Sequence, residues 1–92
     1  AINEIVRNHD NDFERLWNTF NRTDMLILTG MSLSNLSPLS EEFKSKFGTG
    51  AMSTVFSAIH RLVKRGILIK EDSQYYIDDP FFKRWIISRR QA

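Results

Sequence analysis

The middle of the chain carries a row of polar side chains that could contact a nucleic acid. They are hydroxyl groups, an imidazole and two cations at helical spacing: Ser53, Thr54, Ser57, His60, Arg61 and Lys64. A helix with one polar, cationic face can enter the major groove of double-stranded DNA and hydrogen-bond to base edges. Arg61 is then the best candidate for a guanine contact, and the serines could reach bases or phosphates.

Residues on the C-terminal side of this row could hold the DNA backbone. The cations available for phosphate contacts are Arg65, Lys70, Lys83 and Arg84. Gln74 lies at the end of a polar stretch and could reach a minor groove, whereas the acids at 71–72 oppose a close approach to phosphates. The alternative is that all these side chains form only the solvated side of the protein.

The same residues do not make a catalytic set. Ser57 and His60 are three residues apart and share a helical face, but no third group is evident to orient the imidazole. The adjacent acids at 41–42 and 78–79 mark helix starts, and their side chains diverge, so neither pair resembles an acid/base couple. We therefore predict that this chain is not an enzyme.

Length and composition favour one small domain. The chain has 92 residues, of which 41% are hydrophobic, and seven phenylalanines and two tryptophans can supply much of a modest core. There is no cysteine, and His9 and His60 lie far apart, so we expect neither a disulfide nor a metal site. No apolar run is long enough for a membrane span and no signal peptide is visible, so a cytoplasmic location is the expectation.

Charge is distributed unevenly along the chain. Residues 1–42 hold three cationic and seven acidic side chains, whereas residues 43–92 hold ten cationic and four acidic ones. The basic half contains the polar row, which suits an anionic partner for that half. The total, +2, is small enough that an ordinary solvated surface stays an alternative.

A helix over about 50–65 must position the polar row. Its apolar face follows the three- and four-residue spacing of a helix that packs on a core. The members of this face are Met52, Val55, Ile59, Leu62 and Val63. Thr49 is the predicted N-cap, and Gly66 ends the helix because glycine enters the left-handed conformation without strain.

The segments on either side of this helix complete a recognisable arrangement. A short helix that begins at Ser40 and ends at Gly48 precedes it, and the turn through Gly50 makes a helix-turn-helix. Strand-forming residues at 67–70 and 75–77 then predict a β-hairpin, with Gln74 at its tip. The expected fold is a winged helix-turn-helix, mostly α with a small β-hairpin.

The predicted winged-helix core covers residues 23–78, and a helical segment flanks it on each side. Residues 1–22 form a helical lead-in, and a helix capped by Thr23 follows from Asp24 to about Leu33. The loop after it could add a short extended piece beside the wing. Asp79 as N-cap with Pro80 at the first helical position starts a C-terminal helix over 79–92.

A family resemblance rests on the second half of the chain. The positions that carry it are Ser53-Thr54-Val55, Gly66-Ile67-Leu68, Tyr75-Tyr76, and Asp79-Pro80-Phe81-Phe82 followed by Arg84-Trp85. This run resembles the C-terminal winged-helix region of archaeal and bacterial AAA-type (STAND-like) ATPases. The resemblance implies a nucleotide-binding domain before residue 1, and the start at alanine suggests a piece of a longer protein.

The resemblance also bears on cofactors and partners. ATP and magnesium are expected only in that upstream domain, because the glycine-rich stretch 48–54 lacks the lysine of a P-loop. Two functions stay open for the chain itself: binding of double-stranded DNA, or docking on the parent ATPase domain or another protein. Phe56 stands where the family usually has a polar residue, and exposure of its ring would favour a protein partner.

Overall fold

The computed structural model describes residues 10–91, which form five helices and one two-stranded hairpin. In chain order these are α1 (Asp10–Trp17), α2 (Arg22–Leu33), α3 (Glu41–Phe47), α4 (Met52–Lys64), β1 (Leu68–Glu71), β2 (Gln74–Ile77) and α5 (Pro80–Gln91). The predicted winged helix-turn-helix is confirmed. Residues 1–9 of the predicted lead-in lie outside the described residues.

Several helix ends follow the expected local chemistry. Ser40 caps α3 by accepting a hydrogen bond from the Phe43 amide at 3.1 Å, and Gly48 ends this helix in the left-handed conformation at φ 65°. Asp79 caps α5, since its carboxylate accepts the Phe81 amide at 2.8 Å. Gly66 follows α4 at φ 77°, as predicted.

Two predicted caps are wrong. Asn21, rather than Thr23, caps α2: the Asn21 side chain accepts the Asp24 amide at 2.8 Å, and the Asp24 carboxylate accepts the Asn21 amide at 3.2 Å. This reciprocal capping box satisfies two free donors, whereas a cap at Thr23 would satisfy one. α4 begins after Ala51 and not after Thr49, and Ala51 makes no side-chain cap bond. Thr49 lies between the left-handed residues Gly48 and Gly50, and it is buried in the interior.

The hairpin has a tight turn of two residues. Leu68 pairs with Ile77, and the register continues to Glu71 opposite Gln74. Asp72 and Ser73 form the tip with φ values of 51° and 69°, which is the left-handed pair that such two-residue turns require. Gln74 is therefore the first residue of β2 and not the tip itself.

The core lies between α4, the hairpin and the helices around them. It is rich in aromatic side chains where α1 meets α5: the rings of Trp17 and Trp85 lie 5.9 Å apart, and Phe82 and Trp85 stack at 5.9 Å. Val55, Ile59 and Leu62 bury the inner face of α4 in this core. Burial of these side chains positions the opposite face of α4 toward solvent.

Candidate nucleic-acid interface

The outward face of α4 is polar and contains no acidic residue. Its exposed polar residues are Ser53, Thr54, Ser57, His60, Arg61 and Lys64, which are the residues that the sequence predicted. The buried and exposed positions alternate with the helical period, so the core-facing residues determine which side chains are presented. The polar side chains in the amino-terminal half of the face are small hydroxyl groups, which let a helix backbone approach a groove closely, and the exposed Phe56 ring lies beside them.

Arg61 is engaged by another part of the chain. Its Nη2 lies 3.0 Å from Oδ1 of Asp24, and this carboxylate is buried in the capping box of α2. The Arg61 side chain nevertheless stays 49% exposed. Its bond to Asp24 uses one N–H donor, and the other N–H donors of the guanidinium can still contact a ligand. Arg61 therefore connects α4 to α2 through an ion pair. The sequence predicted a free side chain that could contact a base, and it did not indicate this ion pair.

Arg65 is engaged as well. Its Nη2 donates to Oγ1 of Thr19 at 2.8 Å, and its guanidinium carbon lies 4.8 Å from the centre of the Phe20 ring. The side chain thus connects the end of α4 with the turn after α1. This contact directs the cation along the protein surface.

The two hairpin side chains predicted for the DNA backbone and the minor groove, Lys70 and Gln74, each contact a tyrosine of β2. Lys70 Nζ lies 5.7 Å from the centre of the Tyr75 ring, which is its cross-strand neighbour. The Gln74 side-chain oxygen accepts a hydrogen bond from the Tyr76 hydroxyl at 2.6 Å. With Glu71 exposed beside the turn, the tip presents more negative than positive charge.

Lys64 is the cation of this face that makes no ion pair within residues 10–91. It lies at the end of α4, where a positive charge also favours the helix dipole. Of the cations on α5, Lys83 and Arg84 are exposed, and Arg89 forms an ion pair with Glu14. The structure therefore brings together the hydroxyl groups, His60 and Lys64, while Arg61 and Arg65 are shared with the fold.

Two apolar side chains flank the polar face. Phe56 is 57% exposed and Val63 is 36% exposed, and a spacing of seven residues places both on the same side of α4. Val63 was predicted to belong to the core face, and it lies at the edge because Ile59 and Leu62 already fill the space beneath α4. Leu62 and Val63 are adjacent apolar residues, and helical spacing alone does not show which of them lies at the margin of the apolar face.

A comparison with family models identifies the fold. A model described as "Probable winged helix domain" matches residues 11–88. The chain belongs to this family. Winged helix domains are generally non-catalytic and often bind DNA or proteins. Comparison with curated proteins and with solved structures gives no match.

No group of three or more metal-binding side chains occurs among residues 10–91. None of the helices in that range is both long and apolar enough to cross a membrane.

Proposed function

We propose that this winged helix domain binds double-stranded DNA by placing α4 in the major groove. The observation that carries the proposal is the acid-free outward face of α4, with small hydroxyl side chains in its first turns and Lys64 in its last. An acid on this face would repel phosphates. The hydroxyl side chains of the first turns are short enough to let the helix backbone approach the bases, and the exposed Phe56 ring lies at the margin of the face.

Each residue of the face has a role that its chemistry allows. Ser53 and Ser57 would hydrogen-bond to bases or phosphates, and His60 would reach a base edge. Lys64 would neutralise a phosphate, and Arg61 would offer its remaining N–H donors without leaving Asp24. The roles of Thr54, Arg65, Lys70 and Gln74 would be to contact the backbone at the margins of the groove.

Fluorescence anisotropy with a labelled duplex of mixed sequence tests this function. We expect binding at about 50 mM salt that weakens steeply toward about 200 mM, because counterions are released from the phosphates. Lys64→Ala removes one contact, so the slope of log affinity against log salt should fall by about 0.9. The affinity at low salt should fall about tenfold for a charge-assisted bond of about 1.5 kcal/mol.

Arg15→Ala is the matched control, because it removes the same charge from the exposed surface of α1. It should change both the affinity and the salt slope less than Lys64→Ala does. Absence of binding at low salt, or equal effects of the two variants, would exclude DNA binding through α4.

A second function is favoured by the exposed ring of Phe56. We propose as the alternative that the domain is the C-terminal part of an AAA-type ATPase and docks through Phe56 and Val63 on the ATPase domain or a partner protein. The motif of residues 79–85, with its resemblance to such ATPases, supports this parentage, and ATP and magnesium would then bind upstream. Half of a phenylalanine ring exposed on a helix suits burial in a protein interface.

One set of variants distinguishes DNA binding through α4 from docking through Phe56. Phe56→Ser should abolish the effect of the domain on ATP hydrolysis by the proposed upstream polypeptide, and it should leave the salt slope of DNA binding unchanged. The alternative is wrong if that upstream polypeptide has no P-loop lysine and no ATPase activity.

A further inference from the structure

A groove separates β2 from the loop that follows α2. It has a volume of about 450 Å³ and is lined by residues 34–38 on one side, residues 74–77 on the other, and Met31 and Lys83. The sequence left open an extended segment beside the wing at this place. In the part of the chain that the structure describes, the sheet has two strands, and no hydrogen bond crosses from residues 34–38 to β2.

The loop side of the groove is held by its own hydrogen bonds. The Ser34 hydroxyl donates to the Gly30 carbonyl at 2.9 Å, and it accepts the Leu36 amide at 3.3 Å. The Ser37 hydroxyl accepts the Leu39 amide at 3.2 Å. Because these bonds satisfy the loop internally, it does not need β2 in order to keep its conformation.

The backbone edge of β2 faces the groove. Side chains of a strand alternate between two faces, so four consecutive residues can all line one cavity only where the strand presents its edge. Hydrogen-bonded and non-hydrogen-bonded pairs also alternate along an antiparallel ladder. The Asp78 amide donates to the Ile67 carbonyl at 3.0 Å, and the pairs at 69 with 76 and 71 with 74 belong to the same bonded set.

Tyr75 and Ile77 therefore point their backbone N–H and C=O groups outward. These four groups make no backbone or side-chain hydrogen bond within residues 10–91. Two residues of a strand span about 6.6 Å, so the donor and acceptor groups of Tyr75 and Ile77 have the spacing at which an added β-strand would bond to this edge. An unpaired strand edge beside a groove is the geometry that binds an extended peptide by β-augmentation.

The charge of the groove limits the kind of peptide. Lys83 is exposed and makes no ion pair among the described residues, and no acidic side chain lines the groove. Apolar contacts are available from Met31 and Leu36. A complementary strand thus carries a carboxylate opposite Lys83 and an apolar side chain on its inner face.

We propose that this groove binds an extended segment of a partner protein, which adds a third strand at β2 and places an acidic side chain at Lys83. No residue of α4 lines the groove, which lies between β2, α5 and the loop after α2, so the proposal does not depend on DNA binding through α4. A small organic ligand would use the volume of the groove, but it would not need the repeat of backbone groups along Tyr75 and Ile77.

Titration of the 15N-labelled chain with a peptide set tests the proposal. The probes are seven-residue peptides of alternating valine and threonine with one glutamate at each successive position. We expect the best of them to shift the amide resonances of Tyr75 and Ile77 and to slow hydrogen exchange at these two amides. The Tyr76 amide, which is already bonded to β1, should gain little protection and is the internal reference.

Two controls distinguish strand addition from other binding. Methylation of the peptide nitrogens that face β2 should abolish the effect. Lys83→Glu should weaken the glutamate peptide by about twofold to fivefold, and a lysine peptide should then replace it. The proposal is overturned if no peptide of the set alters the Tyr75 and Ile77 amides at millimolar concentration, or if the N-methylated peptide binds equally well.

Discussion

The ion pair between Arg61 and Asp24 is expected to contribute measurably to stability. The Asp24 carboxylate is 7% exposed and accepts two bonds, one from Arg61 Nη2 at 3.0 Å and one from the Asn21 amide at 3.2 Å. Arg61→Ala leaves this carboxylate buried with a single partner. The perturbation therefore acts on the contact between α2 and α4, and it leaves the capping box in place.

The structure sets the size of the effect. Loss of one partner from a fully buried pair costs about 3–5 kcal/mol, whereas an exposed pair contributes about 0–1 kcal/mol. Arg61 is 49% exposed, so water and salt screen its side of the pair. We expect Arg61→Ala to lower the free energy of unfolding by about 1–2 kcal/mol, and to lower Tm by about 4–8 °C for each kcal/mol.

Urea unfolding followed by circular dichroism and by tryptophan fluorescence measures this value. The matched control is Lys64→Ala on the same helix, which removes a cation without an ion pair and should cost less than about 0.5 kcal/mol. Asp24→Asn keeps an acceptor for the cap but removes the charge. In that background Arg61→Ala should cost less than about 0.5 kcal/mol, which leaves a coupling energy of about 1 kcal/mol.

A stabilising ion pair between Arg61 and Asp24 would be refuted if the two changes were additive within about 0.3–0.5 kcal/mol. It would also be refuted if Arg61→Ala cost no more than Lys64→Ala. In either case Arg61 would be a free side chain of the outward face, and it would regain its place as the best candidate for a guanine contact.

Substitutions at three further positions test the packing and the turns. Gly30→Ala should destabilise the domain by about 1–3 kcal/mol despite the helix propensity of alanine, because its Cβ would lie 2.7 Å from Cδ2 of Phe47; urea unfolding measures the loss. Thr49→Val should raise the free energy of unfolding by about 1 kcal/mol, since it removes a buried hydroxyl that has no hydrogen-bond partner within residues 10–91, and a decrease would contradict this assignment. Ser73→Gly should stabilise the hairpin by about 1 kcal/mol by relieving φ 69°, and Ser73→Val should destabilise it; urea unfolding measures both changes.

Much of the fold follows from signals that act over a few residues. The helix starts at Asp79-Pro80 and at Ser40 and the stop at Gly66 were each predicted, because helix ends and glycine turns depend on the nearest backbone groups. The outward face of α4 was predicted for the same kind of reason, since helical spacing is a local property. The cap of α2 was predicted at Thr23, and the structure places it at Asn21.

The position of each side chain within the site required the packed structure. Ring exposure at Phe56 depends on which neighbours reach the margin of α4, and spacing along the helix leaves that open. Arg61 finds its partner 37 residues earlier in the chain, and Arg65 finds Thr19 46 residues earlier. Contacts at such separations depend on how α1, α2 and α4 pack together.

The sequence by itself thus determined a winged helix with a polar, acid-free face on α4, because periodicity, caps and glycine positions are properties of short segments. Only the tertiary structure decided that two of the three cations in the segment 61–65 also bind other helices and turns, and that a groove lies open beside β2. Burial and long-range pairing produce these features, and both arise only when distant segments meet.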